Sequence, residues 1–182
     1  MKSAPNRWKT ITKKKIYENP WISLEEHDVI NPSGNPSIYG KVLFKNLAVA
    51  IIPWDQAGNT WLVGQHRYTL DKYSWELPMG GVPWEEDMLK GAQRELLEET
   101  GIQANSWKEL LRLHTSNSVT DELAVTFIAE DLVMGSPQFD ETEDLQIVKL
   151  PFSRVLEMAL NGEITDGLSL ASILKFARLK GF

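Results

Sequence analysis

The stretch Gly80–Ile102, GGVPWEEDMLKGAQRELLEETGI, predicts a helix running from Glu86 to Thr100. Leu89, Ala92 and Leu96 recur at helical spacing and make one narrow apolar stripe. Gly101 follows at once, where a glycine beyond the last turn ends a helix. At 100° per residue, Glu95, Glu98 and Glu99 fall within about 100° of one another on a different side. One face therefore buries, and another carries carboxylates at i, i+3 and i+4. These repel each other, and Arg94 balances only one of them. A solvated acidic face would account for the pattern, since glutamate is a good helix former. So would a divalent-cation site, because hard oxygen ligands on one rigid face suit Mg²⁺ or Mn²⁺. The position of Glu98 and Glu99 in the last turn favours the cation. The helix dipole makes that end unfavourable for anions without a partner.

Around this helix the pattern is one of strands. Leu47–Pro53, LAVAIIP, is an unbroken apolar run, which predicts a strand covered on both faces. A turn at Asp55–Asn59 leads to a second strand, Trp61–Tyr68, and a short extended piece follows at Ser74–Leu77. Before them, Lys13–Glu18, Ile22–Ile30 and Ile38–Phe44 read as shorter strands broken by Asn19-Pro20 and by the turn-rich Asn31–Pro36. After the helix, Trp107–Leu113, Glu122–Asp131 and Leu145–Leu150 are further strands, and Phe152–Leu160 and Gly167–Leu179 are helices. The order predicts an α/β fold, a mixed β-sheet sandwiched between helices. A strand region at 1–45 precedes the main domain at 46–182.

The chain has 182 residues, and about 70% of the surface of a chain this size is buried on folding, which supports one sizeable core. No apolar run approaches the ~20 residues of a membrane span, and the polar start MKSAPNRWKT lacks a signal-peptide core. Cysteine is absent, which excludes a disulfide framework and a thiolate zinc site and fits a cytoplasmic location. The three histidines, His27, His66 and His114, show no metal-ligand spacing. Lys13-Lys14-Lys15 reads as a solvated strand edge. The net charge is −6, which disfavours nucleic acid as a partner. A phosphorylated small molecule remains compatible if a bound cation supplies the missing positive charge.

Gly80, Glu86, Arg94, Glu95, Leu96, Glu98, Glu99, Gly101 and Ile102 match every fixed position of the Nudix box, G-x5-E-x7-R-E-U-x-E-E-x-G-U with U aliphatic. The chain thus resembles the Nudix hydrolases, and the element order around the box resembles their α/β/α sandwich. The resemblance implies hydrolysis of a diphosphate linked to another moiety, with Mg²⁺ as the cofactor and Mn²⁺ as a substitute. It implies that the carbonyl of Met79 and the carboxylates of Glu95 and Glu99 hold the cations, with Glu98 close by. Arg94 would orient the glutamates.

Residues outside the box bear on the substrate. The strands before it resemble those of ADP-ribose and nucleoside diphosphate sugar hydrolases, in which they build a homodimer. Phe139–Leu145, FDETEDL, resembles the loop that reaches the metals in that group. By this likeness Glu141 is the general base on water and Glu143 an added metal ligand. Val63–Tyr68, VGQHRY, resembles a stretch that sets an arginine on the diphosphate, which makes Arg67 the candidate. Trp21 and Trp75 are candidates to stack a base or sugar, against a core or interface role that suits most tryptophans. Members specialised for ADP-ribose carry a proline where this chain has Asn117, which favours broader use of nucleotide sugars. The signatures of NADH and coenzyme A diphosphatases are missing. The expected activity is therefore Mg²⁺-dependent hydrolysis of nucleoside diphosphate sugars, with no nucleic acid and no membrane as partner. House-cleaning hydrolysis of nucleoside triphosphates is the alternative among enzymes, and a non-catalytic ligand sensor the alternative outside them.

Overall fold

Leu47–Pro53 buries side chains on both its faces, and the fold builds outward from it. Val49 and Ile51 point one way, Ala50 and Ile52 the other, and all four are fully buried. The structure, a computed structural model, describes residues 4–137 and 144–182. Its strands are β1 (Lys9–Glu18), β2 (Ile22–Ile30), β3 (Pro36–Phe44), β4 (Asn46–Pro53), β5 (Asn59–Arg67), β6 (Lys72–Glu76), β7 (Met79–Pro83), β8 (Ile102–His114), β9 (Leu123–Met134) and β10 (Gln146–Pro151). Its helices are α1 (Met88–Thr100), α2 (Phe152–Leu160) and α3 (Gly167–Lys180). None is long and apolar enough to cross a membrane.

The chain divides into two compact units. The larger comprises Leu47–Thr115 and Leu123–Phe182. Its central sheet has the order β7-β4-β9-β8. β4 and β9 run parallel, with Ala48 opposite Ala124 and Pro53 opposite Ala129, while β8 is antiparallel to β9. A second sheet, β10-β5-β6, is antiparallel throughout. The period of two along β4 and β9 sorts their side chains into two cores. Leu47, Val49, Ile51, Val125, Phe127 and Ala129 pack with Ala92 and Leu96 of α1. Ala50, Ile52, Ala124 and Ile128 pack with Phe152 and Val155 of α2 and Ile173 and Phe176 of α3. Each large apolar side chain so buried contributes about 1.5–3 kcal/mol. Helices on both faces of a mixed sheet are the expected architecture.

The buried hydroxyls of Thr126, Ser169 and Ser172 are each hydrogen-bonded. The Thr126 and Ser172 hydroxyls lie 2.7 Å apart, and the Ser172 hydroxyl donates to Leu168 O at 2.6 Å. That chain of hydrogen bonds fastens α3 to the centre of the sheet.

Helix α1 begins two residues later than its periodicity predicts. Asp87 is the N-cap, and its side chain accepts from Lys90 N–H at 3.0 Å. A carboxylate there satisfies a donor the helix itself cannot. Glu86 is left in a turn, its N–H donating to Pro83 O at 3.0 Å. At the other end Gly101 adopts φ 71°, and its N–H donates to Leu97 O at 2.8 Å. A Cβ there would also lie 2.5 Å from the carbonyl carbon of Ser136, so only glycine fits.

The smaller unit extends to Asn46 and takes in Ser116–Glu122. It is a meander of order β1-β2-β3. Val42 N–H donates to Val119 O at 2.9 Å, and Asp121 Oδ1 accepts from Phe44 N–H at 3.1 Å, so the later segment closes against β3. Every residue of β1 is exposed, Ile11, Ile16 and Tyr17 among them.

Candidate functional site

Strand β7 turns through Trp84–Asp87 into α1, and the two lie against each other. On a helix, residues four apart share a face, so Glu95 and Glu99 both point towards β7. Both are buried, at 8% and 3% exposure, which is unusual for carboxylates. Met79 N–H donates to Glu99 Oε2 at 2.9 Å. A Cβ at Gly80 would lie 2.2 Å from Glu95 Cδ and Oε2, so the Glu95 carboxylate fills the space a side chain would take. Glu98, one position round the helix, stays partly exposed. The acidic face read from the helical wheel is thus two buried carboxylates and one open to solvent.

Arg94 gathers these groups. Its Nη1 lies 2.8 Å from Glu95 Oε1 and donates to Glu98 Oε2 at 2.9 Å. Its Nη2 donates to Gly81 O at 3.1 Å and lies 3.7 Å from Glu86 Oε2. One guanidinium therefore ties β7, the turn before α1 and two helical glutamates together. Burial alone would lower its pKa, but Glu95 and Glu98 outweigh that and raise it. Arg94 stays charged at every working pH.

Paired carboxylates held at low exposure concentrate negative charge, and Arg94 offsets only part of it. The Glu95 and Glu99 carboxylates are hard oxygen donors, as a backbone carbonyl such as that of Met79 would be, and such donors fit Mg²⁺ or Mn²⁺. Among the described residues no three Asp, Glu or His side chains form a ready-made cation cluster. Mg²⁺ does not need one, since it usually keeps several waters and uses one or two carboxylates plus substrate phosphates. Glu141 and Glu143 lie outside the described residues.

Arg67 ends β5, and Arg67 and Glu76 point to the same face of the β5–β6 hairpin, where Arg67 lies opposite Lys72. Its Nε donates to Glu76 Oε1 at 2.9 Å, and its Nη2 donates to Glu76 Oε2. The Glu76 hydrogen bonds raise the Arg67 pKa against the opposing effect of burial, and the charges of Asp166 and Glu99 add to the rise. Asp166 caps α3, accepting from Ser169 N–H at 2.7 Å, and the buried Ser169 hydroxyl accepts from Leu77 N–H at 3.0 Å. Sequence reasoning overlooked Glu76. The available signal was a carboxylate flanked by the apolar Trp75 and Leu77, nine residues from an arginine of the same hairpin.

Trp21 lies in the smaller unit, 67% exposed, with its N–H donating to Asn19 Oδ1 at 2.9 Å. Trp75 packs half-buried against the larger core and meets Tyr73 edge-on, ring centroids 5.5 Å apart. His27 pairs with Glu25 and His66 with Asp71.

Two family models match successive parts of the chain. A model of the NUDIX domain matches residues 44–165, and a model of the nucleoside diphosphate sugar hydrolase N-terminal domain matches residues 8–42. An ADP-ribose pyrophosphatase of Mycobacterium tuberculosis is 31% identical, covering 94% of this chain and 84% of its own. A GDP-mannose pyrophosphatase of Salmonella arizonae is 38% identical over 94 residues, 49% of each chain. The crystal structure of an ADP compounds hydrolase superposes with a TM-score of 0.87, covering 99% of this chain and 98% of that one at 20% identity. At that identity the likeness bears on the fold.

The Gly80–Glu95 contact generates a test. Gly80→Ala must push the Glu95 carboxylate out of its place and should raise the Kd for Mn²⁺ about tenfold or more. Calorimetric titration reads the affinity, and circular dichroism checks that the fold is kept. An unchanged affinity would show that cation binding does not depend on where β7 holds Glu95.

Proposed function

The chain belongs to the Nudix family and is a Nudix hydrolase, and from that premise we propose that it hydrolyses the diphosphate bond of nucleoside diphosphate sugars, ADP-ribose among them, with Mg²⁺. The products are a nucleoside monophosphate and a sugar phosphate. The observation that carries the substrate class is the nucleoside diphosphate sugar hydrolase N-terminal domain matched at residues 8–42, directly ahead of the NUDIX match. The ADP-ribose and GDP-mannose pyrophosphatases among the relatives support the same class.

In this reading the Met79 carbonyl, Glu95 and Glu99 hold the cation, and Glu143 adds a ligand. When bound, Mg²⁺ neutralises the diphosphate, polarises phosphorus and lowers the pKa of the attacking water. Arg94 keeps Glu95 and Glu98 in place through the bonds described above. Arg67 contacts the diphosphate, and Trp21 offers a face to the base or sugar. Glu141 takes the proton from water as its oxygen bonds to phosphorus and the bridging P–O bond breaks. A cytoplasmic setting fits the absence of cysteine.

A homodimer through the N-terminal strands belongs to the same proposal. β1 is exposed along its whole length, and Trp8, Ile11, Ile16, Tyr17 and Ile38 are exposed within this unit. Apolar side chains gathered on one small meander call for a covering surface, and a second copy supplies one.

These assignments carry three tests. Phosphate release should be measured, coupled to a phosphatase, on ADP-ribose, GDP-mannose, ADP- and UDP-hexoses, NADH, a diadenosine polyphosphate and dGTP. Turnover of the sugar nucleotides, abolished by EDTA and restored by Mg²⁺, is the expected result, whereas turnover of dGTP alone would overturn the substrate class. Glu99→Gln should lower kcat by about 10³-fold or more and Glu141→Gln by about 10²-fold. Equal, small losses from both would reject the division of roles. Sedimentation equilibrium at micromolar protein should give about twice the 20.7 kDa chain mass, and a value near 20.7 kDa would reject the dimer.

A further inference from the structure

Glu76 is a buried carboxylate to which none of the steps above gives a task. At 3% exposure it is the partner of a guanidinium that is itself 38% exposed at the side chain, so the anion is sunk in the protein and the cation reaches outwards from it. A buried ion pair is a poor source of net stability, because removing both charges from water offsets most of their attraction. The geometry has another consequence. Oε1 takes Nε–H and Oε2 takes Nη2–H, so the carboxylate grips one edge of the planar guanidinium and fixes its plane as well as its position. Among the described residues this grip engages two of the five N–H donors, and Nη1 is not one of them. Lysine offers no such fork.

The carboxylate is in turn held still. Leu77, the next residue, is fully buried, and its N–H donates to the Ser169 hydroxyl at 3.0 Å inside the first turn of α3. Ser169 N–H is bound to the capping Asp166, whose charge also acts on Arg67. Glu99 of the cation site acts on the same guanidinium, which joins the clamp electrostatically to the buried glutamates.

We propose that Glu76 is a positioning residue: it clamps Arg67 edge-on, so that the remaining guanidinium donors are aimed before substrate arrives and bind the diphosphate with little loss of freedom. The inference rests on the reading of Arg67 as a diphosphate contact. Pre-aiming lowers the entropic cost of binding and acts on affinity more than on the chemical step.

The test is a double-mutant cycle on the full chain: wild type, Glu76→Gln, Arg67→Ala and the double variant. Steady-state kcat and KM are measured for ADP-ribose with Mg²⁺, and the Kd for ADP by calorimetry. Glu76→Gln should raise KM and the ADP Kd about tenfold while kcat stays within about threefold. The double variant should match Arg67→Ala alone, because Glu76 acts only through Arg67. Multiplying losses in the double variant would overturn the proposal. So would a Glu76→Gln protein that melts earlier but keeps its KM and Kd, which marks a purely structural pair. Arg67→Lys keeps both charges and removes the fork. It should show the same rise in KM, and it answers the question if Glu76→Gln does not fold. Arg67→Ala with unchanged KM and ADP Kd would fault the premise about Arg67 itself. No turnover of ADP-ribose, with an ADP Kd that still responds to Glu76→Gln, would fault the substrate reading and support the clamp.

Discussion

Between Gly80 and the Glu95 carboxylate there is room for a hydrogen atom and nothing larger, and much of the site depends on that approach. Because β7 lies so close to α1, Glu95 is confined by backbone, and Met79 N–H reaches the Glu99 carboxylate one turn further on. Neither glutamate can swing out to solvent as surface glutamates do. β7 is in turn anchored to the core by its neighbour β4, where Ile51 N–H donates to Pro78 O at 2.8 Å just before β7 begins. The oxygens that suit a cation therefore sit on α1 and β7, and β7 is fastened to the deeply buried β4. Preorganisation of this kind is what lets a hard, weakly bound ion be held in one geometry.

The electrostatics follow from that packing. Forcing Glu95 and Glu99 below the surface concentrates negative charge in a chain that already carries a net charge of −6. Two arginines answer it, and each is held by glutamates: Arg94 by Glu95 and Glu98, Arg67 by Glu76. A cation added to the oxygens and a diphosphate added to the cation would complete the charge balance. On the function proposed above, that balance would let an acidic protein take an anionic substrate, which its composition alone opposes.

The smaller unit obeys different rules. Its three strands alternate poorly, and its exposed apolar side chains include residues of both outer strands, β1 and β3. A three-stranded meander has little interior of its own, and side chains beyond what that interior needs must find a surface elsewhere. The larger unit shows no such excess along β4 and the first part of β9, up to Ala129, whose side chains are packed by two helical layers.

Local spacing made α1, its apolar stripe, its terminal Gly101 and the neighbourhood of Glu95, Glu98 and Glu99 legible, because helical periodicity is written in residues a few positions apart. The apolar run at Leu47–Pro53 was legible for the same reason, as a strand with both faces covered. The start of α1 was misread by two residues, since Asp87 competes for the cap against a pattern that continues through Glu86. Which glutamates are buried could not be read from the wheel, where all three stand alike. That choice belongs to β7, which is brought against Glu95 and Glu99 and leaves Glu98 open. The pairing of Arg67 with Glu76 needed the register of the β5–β6 hairpin and the brace from Ser169 on α3, nearly a hundred residues along the chain. Short-range patterns thus named the chemistry the chain carries, while the burial and aim of each charged group waited on contacts between elements far apart in sequence, which no local spacing encodes.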